Sequence, residues 1–184
     1  MTRRNSVLIQ SAAGLAGLAL VIAVGVSPVV AADEVHDHAT PARLVQLVRD
    51  ATRQYANVNA ATAAGYQPFL GCVSGQDHGA MGQHYVNGAL VGDGEIDVTR
   101  PEALIYESSP AGMQLLGVEY VVFADAWLMH HSGPPVLEGQ TFVLVTAPNR
   151  FNLPAHFELH VWAWRENPLG AFVDWNNQVT CEKQ

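Results

Sequence analysis

The pattern of apolar residues changes at Gly65, and this change sets the kind of fold that the chain can adopt. Before Gly65, the residues of one stripe recur at alternating steps of four and three, which is the spacing of one helix face. These residues are Leu44, Val48, Ala51, Tyr55, Val58 and Thr62. Thr40 and Pro41 favour the start of a helix, and Gly65 favours its end. We therefore predict one amphipathic helix of about 24 residues.

From Tyr66 onward the sequence is typical of β-structure. Short segments rich in Val, Phe, Tyr and Trp alternate with Gly, Pro, Asn and Asp, as expected for strands and turns. The predicted strands cover residues 66–73, 83–86, 103–107, 113–124, 140–146, 157–165 and 171–175, with an exposed loop at 125–139. Together these features predict an α+β fold in which the N-terminal helix packs on an antiparallel β-sheet or a small open β-barrel.

The first 32 residues have the composition of an export signal. Arg3 and Arg4 precede an uncharged apolar run at 12–26, and small residues follow up to Ala32, as in a cleaved signal peptide. We predict a signal peptide at 1–32, a short tail at 33–39 and one domain at 40–184, in a secreted or periplasmic protein without a membrane attachment. The alternative is an uncleaved anchor, because the apolar run is nearly long enough to span a bilayer.

The charge of the predicted mature chain excludes some partners. Removing Arg3 and Arg4 from the nine Lys and Arg residues leaves seven, against seventeen Asp and Glu. Such an acidic surface repels nucleic acid and anionic lipid. We therefore expect no nucleic-acid partner, whereas a cation or a small molecule is compatible with this charge.

The chain has two cysteines, Cys72 and Cys181. In an oxidising compartment, an isolated pair without Cys-x-x-Cys spacing favours a structural disulfide. A thiolate metal site is the alternative, although it would need both sulfurs reduced. We predict a disulfide that joins the start of the core to its end.

A buried carboxylate is the strongest sign of a specific site. Glu119 stands in the otherwise apolar segment 115–123, where an unpaired carboxylate would be costly. His160 lies on a strand whose alternate residues include His156, Glu158 and Trp162. Because Lys and Arg are scarce, we predict that Glu119 shares a divalent metal ion with His84 and His160.

Further ligands and the identity of the metal stay open from the sequence. Glu107 or His78 would complete the set, and zinc, copper, manganese or iron would suit such ligands. Alternatively, Glu119 faces solvent or pairs with Arg100 or Arg165. No catalytic motif is present, so a metal-dependent enzyme is a third hypothesis without a named reaction.

Trp162 and Trp164 suggest a different kind of site. Both lie near His160 and would share its face of the predicted strand, forming a pocket with aromatic walls. The rival function is therefore a non-catalytic envelope protein or small-ligand-binding module. In it, the same His and Glu side chains would form a hydrogen-bond network without a metal.

Several motifs resemble those of a group of uncharacterised secreted bacterial proteins. They are His84-Tyr85-Val86-Asn87, Pro101-Glu102-Ala103-Leu104-Ile105-Tyr106-Glu107, Gly117-Val118-Glu119-Tyr120, His160-Val161-Trp162-Ala163-Trp164, Asn167-Pro168-Leu169-Gly170 and Asp174-Trp175-Asn176. The resemblance spans most of the predicted domain and implies export and a single domain, with no established activity. It places His84, Glu107, Glu119 and His160 inside shared motifs and leaves His78 and His156 outside them.

Overall fold

The computed structural model describes residues 42–182, which lie in one compact unit. The predicted signal peptide, the predicted tail and the predicted helix start at Thr40 and Pro41 lie outside the described residues. Within residues 42–182, no helix is long and apolar enough to cross a membrane.

Three short helical segments replace the single helix predicted from the sequence. They are α1 (Arg43–Thr52), a 3₁₀ helix (Arg53–Ala56) and α2 (Val58–Ala63). The interruption lies at Asn57, where the backbone is extended and the side chain accepts a hydrogen bond from the Asn59 amide at 3.0 Å. Asn side chains compete with helical hydrogen bonds in this way. The helical region ends before Gly65, which has a φ of 96°.

Antiparallel strands make up most of the remaining described chain. They are β1 (Gln67–Gly75), β2 (Gly79–Val86), β3 (Ala103–Ser109), β4 (Gly112–Phe123), β5 (Val136–Leu137), β6 (Gln140–Thr141), β7 (Val143–Val145) and β8 (His156–Val161). Across residues 42–182, six of these form one curled sheet in the order β1-β2-β3-β4-β8-β7, and β5 pairs with β6. Two short helices, α3 (Gly88–Val91) and α4 (Ala124–Leu128), lie in the connections. The fold is therefore of the α+β type, as predicted, with a sheet curled into half a barrel.

Local predictions differ from the structure in several places. The predicted strand 157–165 ends at Val161, and the predicted strand 140–146 is divided into β6 and β7. β2 begins four residues earlier than predicted, because Gly79 and Gly82 adopt positive φ within the strand instead of ending it. Residues 171–175 form no strand. The predicted exposed loop at 125–139 contains most of α4 and all of β5.

One face of the sheet packs against the N-terminal helical segments. Alternate residues of β3, β4 and β8 form its core, and they include Leu104, Tyr106, Val118, Tyr120, Phe157 and Leu159. The helical residues buried against them include Leu44, Val45 and Val48. The buried tyrosine hydroxyls donate to backbone carbonyls at 2.7 Å, Tyr66 to Pro101, Tyr106 to Tyr55 and Tyr120 to Val98. Each of these three hydroxyls on the helix-covered face therefore has a hydrogen-bond partner.

The C-terminal segment returns to the first strands of the sheet. A disulfide joins Cys72 of β1 to Cys181, which confirms the predicted pairing across 109 residues. Backbone hydrogen bonds between Ala80 and Asn176, at 3.1 and 3.2 Å, add a second attachment on β2. These attachments fix the position of Asp174, which lies in the same segment.

Candidate metal centre

The opposite face of the sheet carries a row of buried polar side chains. His156, Glu158 and His160 alternate along β8 and therefore project to one side. None of the three is more than 4% exposed. The register places Glu119 of β4 directly opposite His160, where paired side chains lie about 5 Å apart. Strand pairing therefore brings a carboxylate and an imidazole together.

His84 reaches the same place from β2, across β3. Between them, Ala103 of β3 pairs with Glu119 and offers only a methyl group. On β4, Gly117 has no side chain, and a Cβ there would lie 2.4 Å from the carbonyl oxygen of Val161. These two small residues leave room for the imidazole of His84 to approach Glu119.

The side chains of three strands converge at this point. His84 Nε2 lies 3.4 Å from Glu119 Oε2, and the rings of His84 and His160 meet edge to face with centroids 5.8 Å apart. One candidate ligand atom from each of His84, Glu119 and His160 lies within 4.8 Å of the other two. Glu158 and Asp174 form a second such group with His160. We call these five residues the His/carboxylate cluster.

His160 is the least satisfied member of the cluster. Its side chain is 1% exposed, yet neither ring nitrogen has a hydrogen-bond partner among the described residues. Nδ1 lies 3.5 Å from Asp174 Oδ1, outside hydrogen-bond geometry. Buried polar atoms without partners are uncommon and costly. The ring therefore presents two nitrogens that suit a bound ion.

Burial and neighbouring charges decide the protonation of the cluster. Burial, together with nearby His160, lowers the pKa of His84 to about 3, so this imidazole is neutral at pH 7. Burial raises the pKa of Glu119 well above its usual range, an effect that His160 opposes and Glu158 reinforces. Burial disfavours the charged form of His160 as well, but the surrounding carboxylates, Glu119 foremost, outweigh it and raise its pKa to about 9. The cluster thus combines a neutral imidazole with an imidazolium held by carboxylates.

A cavity of about 280 Å³ opens onto this face of the sheet. Its polar lining comes from His84, Glu119, His156 and Glu158, which form a floor. The walls are apolar and include Phe69, Val91, Val121, Phe123, Phe151 and Leu153. Among the described residues, no Lys or Arg lines it. The cavity therefore combines a hydrocarbon wall with an imidazole and carboxyl floor.

A hydrogen-bonded loop builds one wall of this cavity. The Asn149 side chain accepts hydrogen bonds from the amides of Phe151 and Leu153 at 3.1 and 3.2 Å. It also donates to the Leu153 carbonyl at 2.9 Å. The two wall residues are thus held in place by the fold before any ligand binds.

The structure brings three of the five predicted ligands together and places the other two elsewhere. His84, Glu119 and His160 meet in the cluster. Glu107 lies outside the cluster, with its Oε2 2.8 Å from Nη2 of Arg165. His78 is exposed in the turn between β1 and β2. The arginines considered as partners of Glu119 pair elsewhere, Arg165 with Glu107 and Arg100 with Asp97.

The two tryptophans predicted to form a ligand pocket lie apart from the cavity. Trp162 is buried with Ile105, Leu116 and Val179, and its indole N–H donates to the carbonyl of Val173 at 2.6 Å. The indole of Trp164 donates to Thr52 Oγ1 at 3.1 Å. The cavity is therefore walled by other residues than those that the sequence suggested.

Sequence reasoning missed two members of the cluster. Glu158 alternates with His160 along one strand, so its position on the same face was visible, but nothing distinguished it from a solvent-facing residue. Asp174 lies in the motif Asp174-Trp175-Asn176, but nothing in the sequence placed it beside His160, because residues 171–175 form an irregular segment positioned by contacts with distant strands.

Comparison with known proteins gives no assignment. No family model, curated protein or solved structure matches the chain. The resemblance to secreted bacterial proteins therefore stays a prediction.

Proposed function

We propose that this protein binds one divalent transition-metal ion through His84, Glu119 and His160. Two imidazole nitrogens and one carboxylate oxygen suit zinc, copper, manganese or iron. Three protein ligands leave a coordination position for water or a small ligand. Because His84 and Glu119 line the cavity, that position would be reached from the cavity.

The observation that carries the proposal is the state of His160. Both ring nitrogens are buried without a hydrogen-bond partner among residues 42–182, in a side chain that is 1% exposed. A metal ion would use one of them directly. Asp174, at 3.5 Å from Nδ1, would then orient the ring, as carboxylates commonly do beside metal-bound imidazoles.

Charge balance supports the same assignment. Glu119 is 9% exposed and, in the described part of the chain, no arginine pairs with it. The raised pKa of Glu119 and of His160 means that the metal-free cluster holds protons that a metal would displace. We therefore expect metal affinity to rise with pH.

The location of the site also suggests which groups complete it. Glu107 and His78 lie outside the cluster, whereas Glu158 and Asp174 belong to it. In this proposal Glu158 takes the completing role that the sequence assigned to Glu107 or His78, and Asp174 orients the His160 ring.

We infer that the metal is acquired outside the cytoplasm. The Cys72–Cys181 disulfide supports export, because such bonds persist mainly in oxidising compartments. The predicted signal peptide at 1–32 supports the same destination, either secreted or periplasmic.

The direct test is metal content. The full chain is expressed with its own N-terminal segment, purified without chelator, loaded separately with zinc, copper, manganese or iron, and measured by elemental mass spectrometry. We expect about one equivalent of one metal. Removing it should lower the melting temperature, since a ligand at about 100 times its Kd adds about 2.7 kcal/mol to the free energy of unfolding.

A matched pair of variants locates the site. Glu119→Gln and Glu107→Gln make the same chemical change, one inside the cluster and one in the ion pair with Arg165. We expect Glu119→Gln to lose most of the bound metal and Glu107→Gln to retain it. Equal metal content in both variants would refute the assignment.

The rival explanation is a buried hydrogen-bond network in a protein without a metal. It predicts no metal after any loading and the same melting temperature with and without chelator. That result would overturn the metal proposal.

A further inference from the structure

We propose that the cavity above the His/carboxylate cluster binds a small neutral molecule with a hydrocarbon body and one hydroxyl group. The hydrocarbon would contact the apolar walls, and the hydroxyl would contact the polar floor. This proposal concerns the cavity, and it holds for the metal-free and the metal-loaded protein alike.

The size and walls of the cavity suit a compact hydrocarbon. Its volume is about 280 Å³, whereas an apolar cavity of about 150 Å³ is enough to hold benzene. The walls include Phe69, Val121 and Phe123 from the sheet and Phe151 and Leu153 from the loop. A single aromatic ring with a short substituent is therefore within its capacity.

The polar residues at the floor of the cavity determine which polar group a ligand can carry. A pure hydrocarbon would cover the carboxyl groups of Glu119 and Glu158 without giving them a hydrogen bond, which is unfavourable. An added carboxylate would repel these acidic groups, and an ammonium group would be attracted to them but would lose far more hydration than a neutral hydroxyl group. A hydroxyl group can donate to a carboxylate oxygen and accept from an imidazole N–H, so it suits this floor.

The mouth of the cavity carries an exposed apolar residue in a constrained bulge of β1. Leu70, which lines the cavity, is 61% exposed and has a φ of 62°, and Gly71 beside it has a φ of 97°. The two residues bulge from the pairing of β1 with β2. Strained backbone of this kind is typical of ligand-contacting loops, and Leu70 would cover the hydrocarbon part of a bound molecule.

Four probes of similar shape test the proposal. Toluene, benzyl alcohol, benzoate and benzylamine share one ring and differ in their polar group. Binding of each to the full chain is measured by isothermal titration calorimetry, once after chelation and once after metal loading. We expect benzyl alcohol to bind about tenfold more tightly than toluene, since a hydrogen bond to the floor contributes about 1.4 kcal/mol, and we expect the weakest binding for benzoate by the metal-free protein.

A pair of variants shows where the probe binds. Val91→Trp places a large ring in the cavity wall, whereas Val136→Trp makes the same change at a 62% exposed position on β5. We expect Val91→Trp to abolish binding of benzyl alcohol and Val136→Trp to preserve it. Metal content, measured in parallel, should be unchanged in both variants, which separates failure of the cavity from failure of the metal site.

Three results would overturn the proposal. They are no binding of any probe in either form, equal affinity for toluene and benzyl alcohol, and tightest binding of benzoate or benzylamine in both forms. If Val91→Trp still bound benzyl alcohol, the assignment of the binding site to this cavity would be wrong. A selective loss in Val91→Trp together with a preference for the alcohol would support it.

Discussion

The two faces of the sheet differ in whether their buried polar side chains have hydrogen-bond partners. On the helix-covered face, the hydroxyls of Tyr66, Tyr106 and Tyr120 each donate to a backbone carbonyl. On the cavity face, His160 has two ring nitrogens without partners among the described residues. Both faces are built by the same strands, so the difference lies in the side chains and not in the backbone.

This contrast indicates that the helix-covered face serves stability, whereas the cavity face is suited to binding. A tyrosine hydroxyl that meets a carbonyl contributes to stability and needs no further partner. Buried His160 has no such hydrogen bond, and it depends instead on the charges of nearby carboxylates or on a bound ion. Changes on the helix-covered face should therefore alter stability, and changes on the cavity face should alter metal content.

Leu104→Ala should have the largest effect on stability. Leu104 is fully buried on the helix-covered face, and truncating a buried leucine typically costs about 2–5 kcal/mol. Urea unfolding at 25 °C would measure this loss. Metal content, measured under folding conditions, should stay at the wild-type level, and a loss of metal here would contradict the separation of the two faces.

Glu102 tests whether a buried carboxylate outside the cluster is costly. It is 2% exposed and accepts one hydrogen bond from the Val121 amide at 2.9 Å, but burial raises its pKa to about 8. Between pH 4.5, the ordinary pKa of a glutamate side chain, and about pH 8, the folded state holds the proton that the unfolded state releases. The free energy of unfolding should therefore fall as pH rises through this window.

The matching variant is Glu102→Gln, which cannot ionise. The difference in free energy of unfolding between this variant and wild type should shift in favour of the variant by on the order of a few kcal/mol from pH 5 to pH 8. Subtracting the wild-type dependence of the free energy of unfolding on pH from that of the variant removes the contribution of the histidines, because both proteins contain them. Parallel pH profiles would show that Glu102 titrates normally.

Asp174→Asn should weaken metal binding moderately. Asp174 lies 3.5 Å from His160 Nδ1, and its pKa is lowered mainly by that imidazole. Loss of an orienting carboxylate typically costs about tenfold or more in metal affinity. Competition with a chromophoric chelator would measure it, with Asp125→Asn at an exposed position as the control.

Tyr120→Phe should have the smallest effect. The substitution removes one hydrogen bond to the Val98 carbonyl and leaves the ring in place, so the expected loss is about 1 kcal/mol. Thermal melting would detect it. A change in metal affinity larger than the change in stability would indicate that the two faces are coupled.

Part of this arrangement could be predicted from the residues alone. Glu119 stood out because a carboxylate in an apolar strand needs a partner, and the alternation along β8 placed Glu158 beside His160. The α+β class followed from the change of period at Gly65. The disulfide followed from an isolated cysteine pair.

Other parts depend on long-range pairing that local patterns do not encode. The register of β4 against β8 is set across a connection of more than thirty residues, so the contact of Glu119 with His160 was not readable from spacing. Gly79 and Gly82 adopt positive φ inside β2, whereas in the sequence these glycines predicted that the strand would begin only after them. Asp174 depends on the bridge between Ala80 and Asn176, and no local signal marks such a bridge.

If the cluster binds a metal as proposed, the order of its residues along the chain has a consequence for where the ion would be acquired. His84, Glu119, Glu158 and His160 come from the middle of the sequence, whereas Asp174 and the disulfide partner Cys181 come near its end. A chain that crosses a membrane N-terminus first completes the cluster only when these last residues have emerged. Metal selection would then be made by the ion pool of the destination compartment and not by that of the cytoplasm.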